Sequence, residues 1–254
     1  MADHTAIEWT DATWNPVTGC SVVSPGCANC YAETLTKNRM GLDLWGPAKT
    51  TRRQAVKGVY AHLRQWNKAS DPSDPSKVFV GSLMDWAEDH PDADRLRSAM
   101  WDAIRSNGNL IFQLLTKRSE RVESLLPDFW AEVRDRVWLG VSIENADYAH
   151  RADSIRHLDS AVRFVSYEPA LGSLANAINL DCIDWMIYGG ESGSGFRPED
   201  KQWARDMRDR CHAEGVAFFH KQSAAYRTEM GIELDGEIVR EYPETRRVSL
   251  ALFE

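Results

Sequence analysis

Three cysteines crowd into one short stretch of this chain. Cys20, Cys27 and Cys30 stand in a C-x6-C-x2-C arrangement, on a loop punctuated by Gly19, Pro25 and Gly26. Thiolates are the natural ligands of zinc and of iron–sulfur clusters, and three thiols on one short loop can converge on a single point. Cys182 and Cys211 lie far downstream. The plainer reading of each is a small buried hydrophobe.

Three protein ligands leave one coordination position open. A structural zinc asks for a fourth ligand, and His4, His62 and His90 are the candidates, none at a finger-like spacing. A catalytic zinc with an open position and a [4Fe–4S] cluster with one free iron fit the ligand count equally well. A zinc deaminase carries a His-x-Glu tripeptide ahead of its Cys-x2-Cys pair, and none precedes Cys27.

The elements that must position these groups follow from the hydrophobic rhythm. Residues 5–19 read as a short first strand or extended arm that delivers the chain to the cysteine loop, and a helix is expected from about Tyr31 to Arg39. A long connection at about 41–76 holds one helix, because Val59, Leu63 and Trp66 recur at helical spacing. Apolar strands then alternate with amphipathic helices: Val78–Val80, Leu110–Leu115, Val137–Val141, Val162–Val165, Trp185–Tyr188 and Val216–Phe219, with helices near Leu96–Ile104, Ser119–Leu126, Asp147–His157 and Asp200–Glu214. Such alternation implies βαβ units and a parallel sheet. The fold class is α/β, a partial or closed (β/α) TIM-like barrel of about six or seven parallel strands. A single domain over residues 1–254 is expected, with a tail at about 222–254 in which Asp235-Gly236 marks a hairpin.

Polar or charged residues follow almost every strand: Ser82 and Asp85, Thr116 and Lys117, Ser142 and Glu144, Ser166 and Glu168, Glu191, and Lys221. The C-terminal ends of parallel strands form the active face of α/β folds, so these residues are expected at one mouth, onto which the cysteine loop also opens.

Composition narrows the classes. A formal net charge of −8 argues against broad, non-specific nucleic-acid binding. Local basic clusters remain, at Lys49, Arg52, Arg53 and Lys57 and at Lys117, Arg118 and Arg121, and the bland reading of both is a solvated face. No apolar run approaches the ~20 residues of a membrane span. The polar, acidic start is unlike a signal peptide, which points to the cytoplasm, where clustered cysteines are metal-binding or redox-active more often than disulfide-bonded.

Specific blocks carry a resemblance: Thr5–Cys20 (TAIEWTDATWNPVTGC), Ser24–Tyr31 (SPGCANCY), Gly81–Asp85 (GSLMD), Leu115–Arg118 (LTKR), Gly140–Glu144 (GVSIE), Ser166–Pro169 (SYEP) and Gly189–Ser192 (GGES). Together they span nearly the whole chain. On these residues the chain resembles a phage-associated and bacterial domain-of-unknown-function family with a three-cysteine motif. That family is similar to the radical SAM superfamily, with spore photoproduct lyase as a distant relative. The resemblance implies a [4Fe–4S] cluster held by Cys20, Cys27 and Cys30, S-adenosylmethionine bound at the unique iron, and a 5′-deoxyadenosyl radical that abstracts hydrogen from a substrate. It implies an external electron donor of flavodoxin or ferredoxin type, and a bacterial host cytoplasm if the chain is phage-encoded.

Carried onto this chain, Ser82 and Asp85 would meet the methionine amino group, Lys117 its carboxylate, and Ser142 and Glu144 the ribose hydroxyls, with Ser166 and Glu168 near adenosine or substrate. The superfamily spacing is C-x3-C-x2-C with an aromatic before the last cysteine. Here the first gap is six and Asn29 precedes Cys30, which leaves Tyr31 as the candidate adenine contact. A nucleic-acid base or nucleotide is the first substrate expected, with Glu191, Arg197 and Lys221 on its side of the mouth and Arg197, Lys221, Arg52 and Arg53 as phosphate contacts; Tyr188, Cys182 or Cys211 would serve as a hydrogen-atom relay if one lined the mouth. Glu144→Ala is then expected to weaken S-adenosylmethionine binding and leave the cluster intact. Two other readings stand beside this one: a zinc-dependent hydrolase or deaminase, and a non-catalytic binding protein whose metal staples the N-terminal loop.

Overall fold

The computed structural model describes residues 5–245. In chain order its elements are β1 (Ala12–Trp14), β2 (Val17–Thr18), α1 (Tyr31–Met40), β3 (Gln54–Ala55), α2 (Val59–Ala69), β4 (Ser76–Val80), α3 (Pro91–Ser106), β5 (Leu110–Thr116), α4 (Trp130–Val133), β6 (Val137–Ser142), α5 (Asp153–Arg156), β7 (Val162–Tyr167), β8 (Trp185–Gly189), α6 (Lys201–Glu214) and β9 (Ala217–Gln222). Seven strands form one sheet in the order β1-β4-β5-β6-β7-β8-β9, with every neighbouring pair parallel. Spatial order follows chain order without reversal, which is barrel-type winding; a doubly wound sheet would turn back at a switch point. The sheet is a curled half-barrel, and its edge strands β1 and β9 do not pair with each other. The expected TIM-like barrel is therefore present in its partial form.

Strand side chains alternate between two cores, as the period of two requires. Phe79, Trp138, Phe164, Trp185 and Phe219 join Trp9 in an aromatic cluster on one face of the sheet. Val78, Val80, Leu139, Val165, Met186 and Phe218 pack on the other face with Leu63 of α2, Met100 and Ile104 of α3, and Met207 of α6. The helices cover that second face, so the aromatic cluster fills the concave side. Fully burying each such side chain contributes about 1.5–3 kcal/mol.

The open side is spanned by the segments around Glu8 and Tyr242. The segment Val239–Glu241 runs antiparallel along β9, with His220 N donating to Val239 O at 2.8 Å and Glu241 N to Phe218 O at 3.0 Å. Beyond it, Tyr242 Oη donates to Glu8 O at 3.0 Å, and Arg240 pairs with the Glu8 carboxylate at 2.5 Å. Between β9 and this segment, Asp235 and Gly236 both take positive φ, 57° and 86°, and form a tight turn closed by Leu234 and Glu237.

The helical layer is thinner than the sequence rhythm suggests. The stretch expected as a helix at Ser119–Leu126 is two 3-10 turns, Ser119–Arg121 and Glu123–Leu125, cut short by Pro127. The stretch expected as a helix at Asp147–His157 is a 3-10 run, Ala146–Ala152, ending in the single turn α5. No helix lies between β7 and β8 among the described residues, and none of the described helices is long and apolar enough to cross a membrane.

Gly140, in the centre of β6, shows how closely the concave core is packed. A Cβ there would lie 2.2 Å from the Phe164 ring. Gly140→Ala is expected to cost about 1–3 kcal/mol by overpacking. A lower urea midpoint checks this; an unchanged midpoint would show that the Phe164 ring moves aside freely.

Candidate functional site

The cysteine loop is tethered first at its own base. Asn15, just past β1, donates from Nδ2 to Ser82 Oγ at 2.8 Å and accepts from Leu83 N at 2.7 Å, which ties the ends of β1 and β4 together. Gly19 follows at φ 114°, where a Cβ would lie 2.5 Å from Leu44 O. The insertion after α1 returns to this base: β2 pairs with β3, and Gly46 N donates to Cys20 O at 3.1 Å.

From Cys20 the loop crosses the mouth and is fastened on the far side by two buried carboxylates. Ser24 Oγ donates to Glu144 Oε1 at 2.5 Å, and a Cβ on Gly26 would strike the same oxygen at 2.5 Å. Arg151 Nη1 donates to the other Glu144 oxygen at 2.9 Å and to Ser142 O at 2.7 Å, while Lys117 Nζ lies 3.9 Å from Oε1. Glu191, at the end of β8, accepts from Asn29 Nδ2 at 2.9 Å and from Arg197 N at 2.8 Å, and pairs with the Arg197 guanidinium at 2.5 Å. Arg197 also donates to Pro25 O at 3.1 Å. Burial pulls the Glu191 carboxyl upward, but the bonds from Arg197 and Asn29 outweigh it and hold the group below its ordinary value.

Cys20 sits on a second buried network. Asp85 accepts from Thr116 Oγ1 at 2.6 Å, Lys117 N at 3.1 Å and Arg118 Nη1 at 2.8 Å. Arg118 also donates to Ser21 Oγ at 2.8 Å and contacts Cys20 Sγ at 3.6 Å. Behind it, Arg53 is bidentate to Glu88, both bonds 2.8 Å, and Ser21 Oγ donates to Glu88 at 2.7 Å. Burial, reinforced by Asp85, pushes the Cys20 thiol up to about 12 against the pull of Arg118. Burial also raises the Cys30 thiol, although the backbone N–H groups of Glu33 and Ala32 at the start of α1 favour its thiolate. A bound metal reverses both shifts, because coordination displaces the thiol proton.

Two adjoining cavities open at this mouth. One, of about 170 Å³, is lined by all three clustered cysteines with Tyr31, Ser82, Asp85, Lys117, Arg118 and Ser142. The other, of about 240 Å³, is lined by Cys30, Tyr31, Lys117, Ser142, Ser166, Glu168, Glu191 and Lys221 over an apolar floor of Trp9, Phe79 and Leu115. Glu168 and Lys221 pair directly across it. Of the fifteen residues expected at the mouth, thirteen, all but Glu144 and Arg197, therefore line one or both cavities.

Several assignments need correction. Glu144 lines neither cavity; it is fully buried under the loop, held by Ser24 and Arg151. Arg197 also lines neither, its guanidinium being committed to Glu191 and Pro25. Arg53 is buried on Glu88, so it has no phosphate role. Tyr188 lies on the helix-covered face, donating to Glu199 at 2.7 Å, Cys211 is buried on the inner side of α6 and Cys182 is exposed on the loop before β8; none lines either cavity.

Metal chemistry is constrained in the same way. Among the described residues, no three His, Cys, Asp or Glu side chains converge closely enough to hold a single ion. The three thiols thus line one cavity without meeting at one point. A [4Fe–4S] cluster takes each cysteine on a different iron and so asks for less convergence than a single ion does. His90 caps α3, accepting from Asp92 N at 3.0 Å while its other ring nitrogen lies 2.9 Å from Thr51 O. His62 packs against Trp66, and His4 lies outside the described residues. A His-x-Glu tripeptide does occur, at His212–Glu214 on α6, but His212 pairs with Glu241 at 2.9 Å and lines neither cavity.

Ser24, Asn29 and Arg151 carry no local signal of their role, which is to fix the loop through partners far away in the chain. Arg118, expected with Lys117 and Arg121 on a solvated face, is instead buried on Asp85.

An open parallel half-barrel with a three-cysteine loop laid across its C-terminal mouth is the class of protein these features define. Residues 4–243 match the family described as Protein of unknown function (DUF5131), and the chain belongs to it. Neither the curated proteins nor the solved structures contain a match to this chain.

Glu144→Ala leaves the buried Arg151 without its carboxylate, at about 3–5 kcal/mol, and unfastens Ser24. The expected result is a lower urea midpoint. Ser24→Ala should lower it by less. An unchanged midpoint for Glu144→Ala would show that this carboxylate does not fasten the loop.

Proposed function

We propose that this protein is a radical S-adenosylmethionine enzyme whose Cys20, Cys27 and Cys30 hold a [4Fe–4S] cluster. One observation carries the reading: the three thiols line a cavity at the C-terminal mouth of a parallel half-barrel, directly beside a second cavity that shares Cys30, Tyr31, Lys117 and Ser142 with it. When bound, the cluster supplies the single electron that cleaves S-adenosylmethionine reductively.

The chain's own residues supply the rest. Three thiolates concentrate negative charge, which Arg118 at Cys20 and the N-terminus of α1 at Cys30 offset. Lys117 lines both cavities and is the cation suited to a carboxylate. Ser142 and Ser166 offer hydroxyls to polar ligand atoms, and Glu168 and Lys221 present an ion pair that a ligand can exchange for its own charges. Trp9, Phe79 and Leu115 form an apolar floor that excludes water, as a reactive species requires. The electron donor is of flavodoxin or ferredoxin type, and the substrate a nucleic-acid base or nucleotide.

The test is anaerobic reconstitution with iron and sulfide, followed by dithionite and S-adenosylmethionine, with 5′-deoxyadenosine read by mass spectrometry. Wild-type protein should form it, and Cys27→Ala should form none. Lys117→Ala should weaken S-adenosylmethionine binding by roughly tenfold, the loss of one charge-assisted hydrogen bond. Stoichiometric zinc in place of iron, with no 5′-deoxyadenosine, would overturn the proposal.

A further inference from the structure

The excursion between β1 and β4 carries a charge pattern that the mouth does not use. From Leu44 to Ser70 the chain holds Lys49, Arg52, Arg53, Lys57, Arg64 and Lys68 and no Asp or Glu, within a protein of net charge −8. Arg53 is the internal member, buried on Glu88. The other five are exposed, and among the described residues none of them pairs with a carboxylate.

The fold places these five along one path. Lys49 and Arg52 follow Trp45 and Gly46, which are bonded to Cys20, and Lys57 follows β3, which pairs with β2 just ahead of the cysteine loop. Helix α2 buries Val59 and Leu63, while Arg64 and Lys68, one turn apart, are exposed on its outer side. The helix leads away from the mouth toward the start of β4, where Ser76 N donates to Ser70 Oγ at 2.9 Å. The cations thus form a strip that begins beside the cysteine loop and continues for ~16 Å along α2.

The surface chemistry selects the occupant. Large exposed hydrophobics occur elsewhere, at Val22, Val23, Tyr31 and Met40 among others, but none lies between Leu44 and Ser70. A protein partner needs an apolar, aromatic centre with its charges at the rim. A nucleic-acid backbone needs cations distributed along a line and little else.

We propose that this strip binds the phosphate backbone of a nucleic acid and leads the strand to the mouth, where one of its bases is the substrate. The last clause rests on the enzyme reading above; the binding itself does not.

The experiment is fluorescence anisotropy with a labelled single-stranded DNA oligonucleotide, on the protein before and after cluster reconstitution. Binding should weaken with salt, with a slope of roughly −3.5 in log–log form for five cations on a single strand. The combined variant Arg52→Ala, Lys57→Ala, Arg64→Ala and Lys68→Ala, all at exposed positions, should lose about tenfold or more of that affinity. Lys201→Ala, an exposed cation on α6, should lose none. Equal affinity for the strip variant and wild type, or no wild-type binding, overturns the proposal. Loss of binding to an acidic flavodoxin in the strip variant, with DNA affinity unchanged, would assign the surface to the electron donor instead. DNA binding without S-adenosylmethionine cleavage would leave the strip standing and remove the enzyme reading; cleavage without DNA binding would do the reverse.

Discussion

Two buried carboxylates hold the cysteine loop in place, and the rest of the site depends on them. A loop rich in glycine and proline has no ladder of its own, and fixing each residue costs about 1–2 kcal/mol of backbone entropy. Glu144, after β6, takes Ser24 and leaves no room for a side chain at Gly26; Glu191, after β8, takes Asn29. Each carboxylate is out of water and therefore needs a guanidinium, which Arg151 and Arg197 provide. The strand ends thus fasten the loop that carries the thiols, and the strands must be in register before the cysteines can be.

The same sheet makes the cavity beside them. Along the concave face each strand runs from apolar to polar: Phe164, Ser166 and Glu168 on β7 and its extension, Trp185, Ile187 and Glu191 on β8 and its extension, and Phe219 and Lys221 on β9. Alternation at a period of two places these residues above one another. The aromatic layer excludes water from below, and exclusion of water strengthens every polar contact above it. The half-open sheet needs the arm around Glu8 and the segment ending at Tyr242 to cover its free side.

Much of this was legible in the sequence because it depends on local pattern. Strands such as Leu110–Thr116 and Val162–Tyr167 announce themselves by apolar runs, and the polar residues after them mark the mouth. Lys117, Ser142, Ser166, Glu168 and Lys221 follow from that rule alone, since a strand end fixes both position and facing. What was not legible depends on pairings far apart in the chain. Glu144 and Ser24 are separated by 120 residues, and Arg53 and Glu88 by 35, so no local pattern shows that these charges are committed to each other. The short helical turns at Ser119–Arg121 and Ala146–Ala152 are where the periodic reading failed; buried Arg118 and Arg151 stand at them, committed to Asp85 and Glu144.

The central claim is that the three thiols hold one cluster with an iron left open to S-adenosylmethionine. Electron paramagnetic resonance of the anaerobically reconstituted, dithionite-reduced protein, recorded with and without S-adenosylmethionine, tests it most directly. The account predicts the signal of one reduced cubane per chain, with about four irons bound, and a change in that signal when S-adenosylmethionine is added. A cluster signal indifferent to S-adenosylmethionine, or a protein that takes up zinc and no iron, would contradict it.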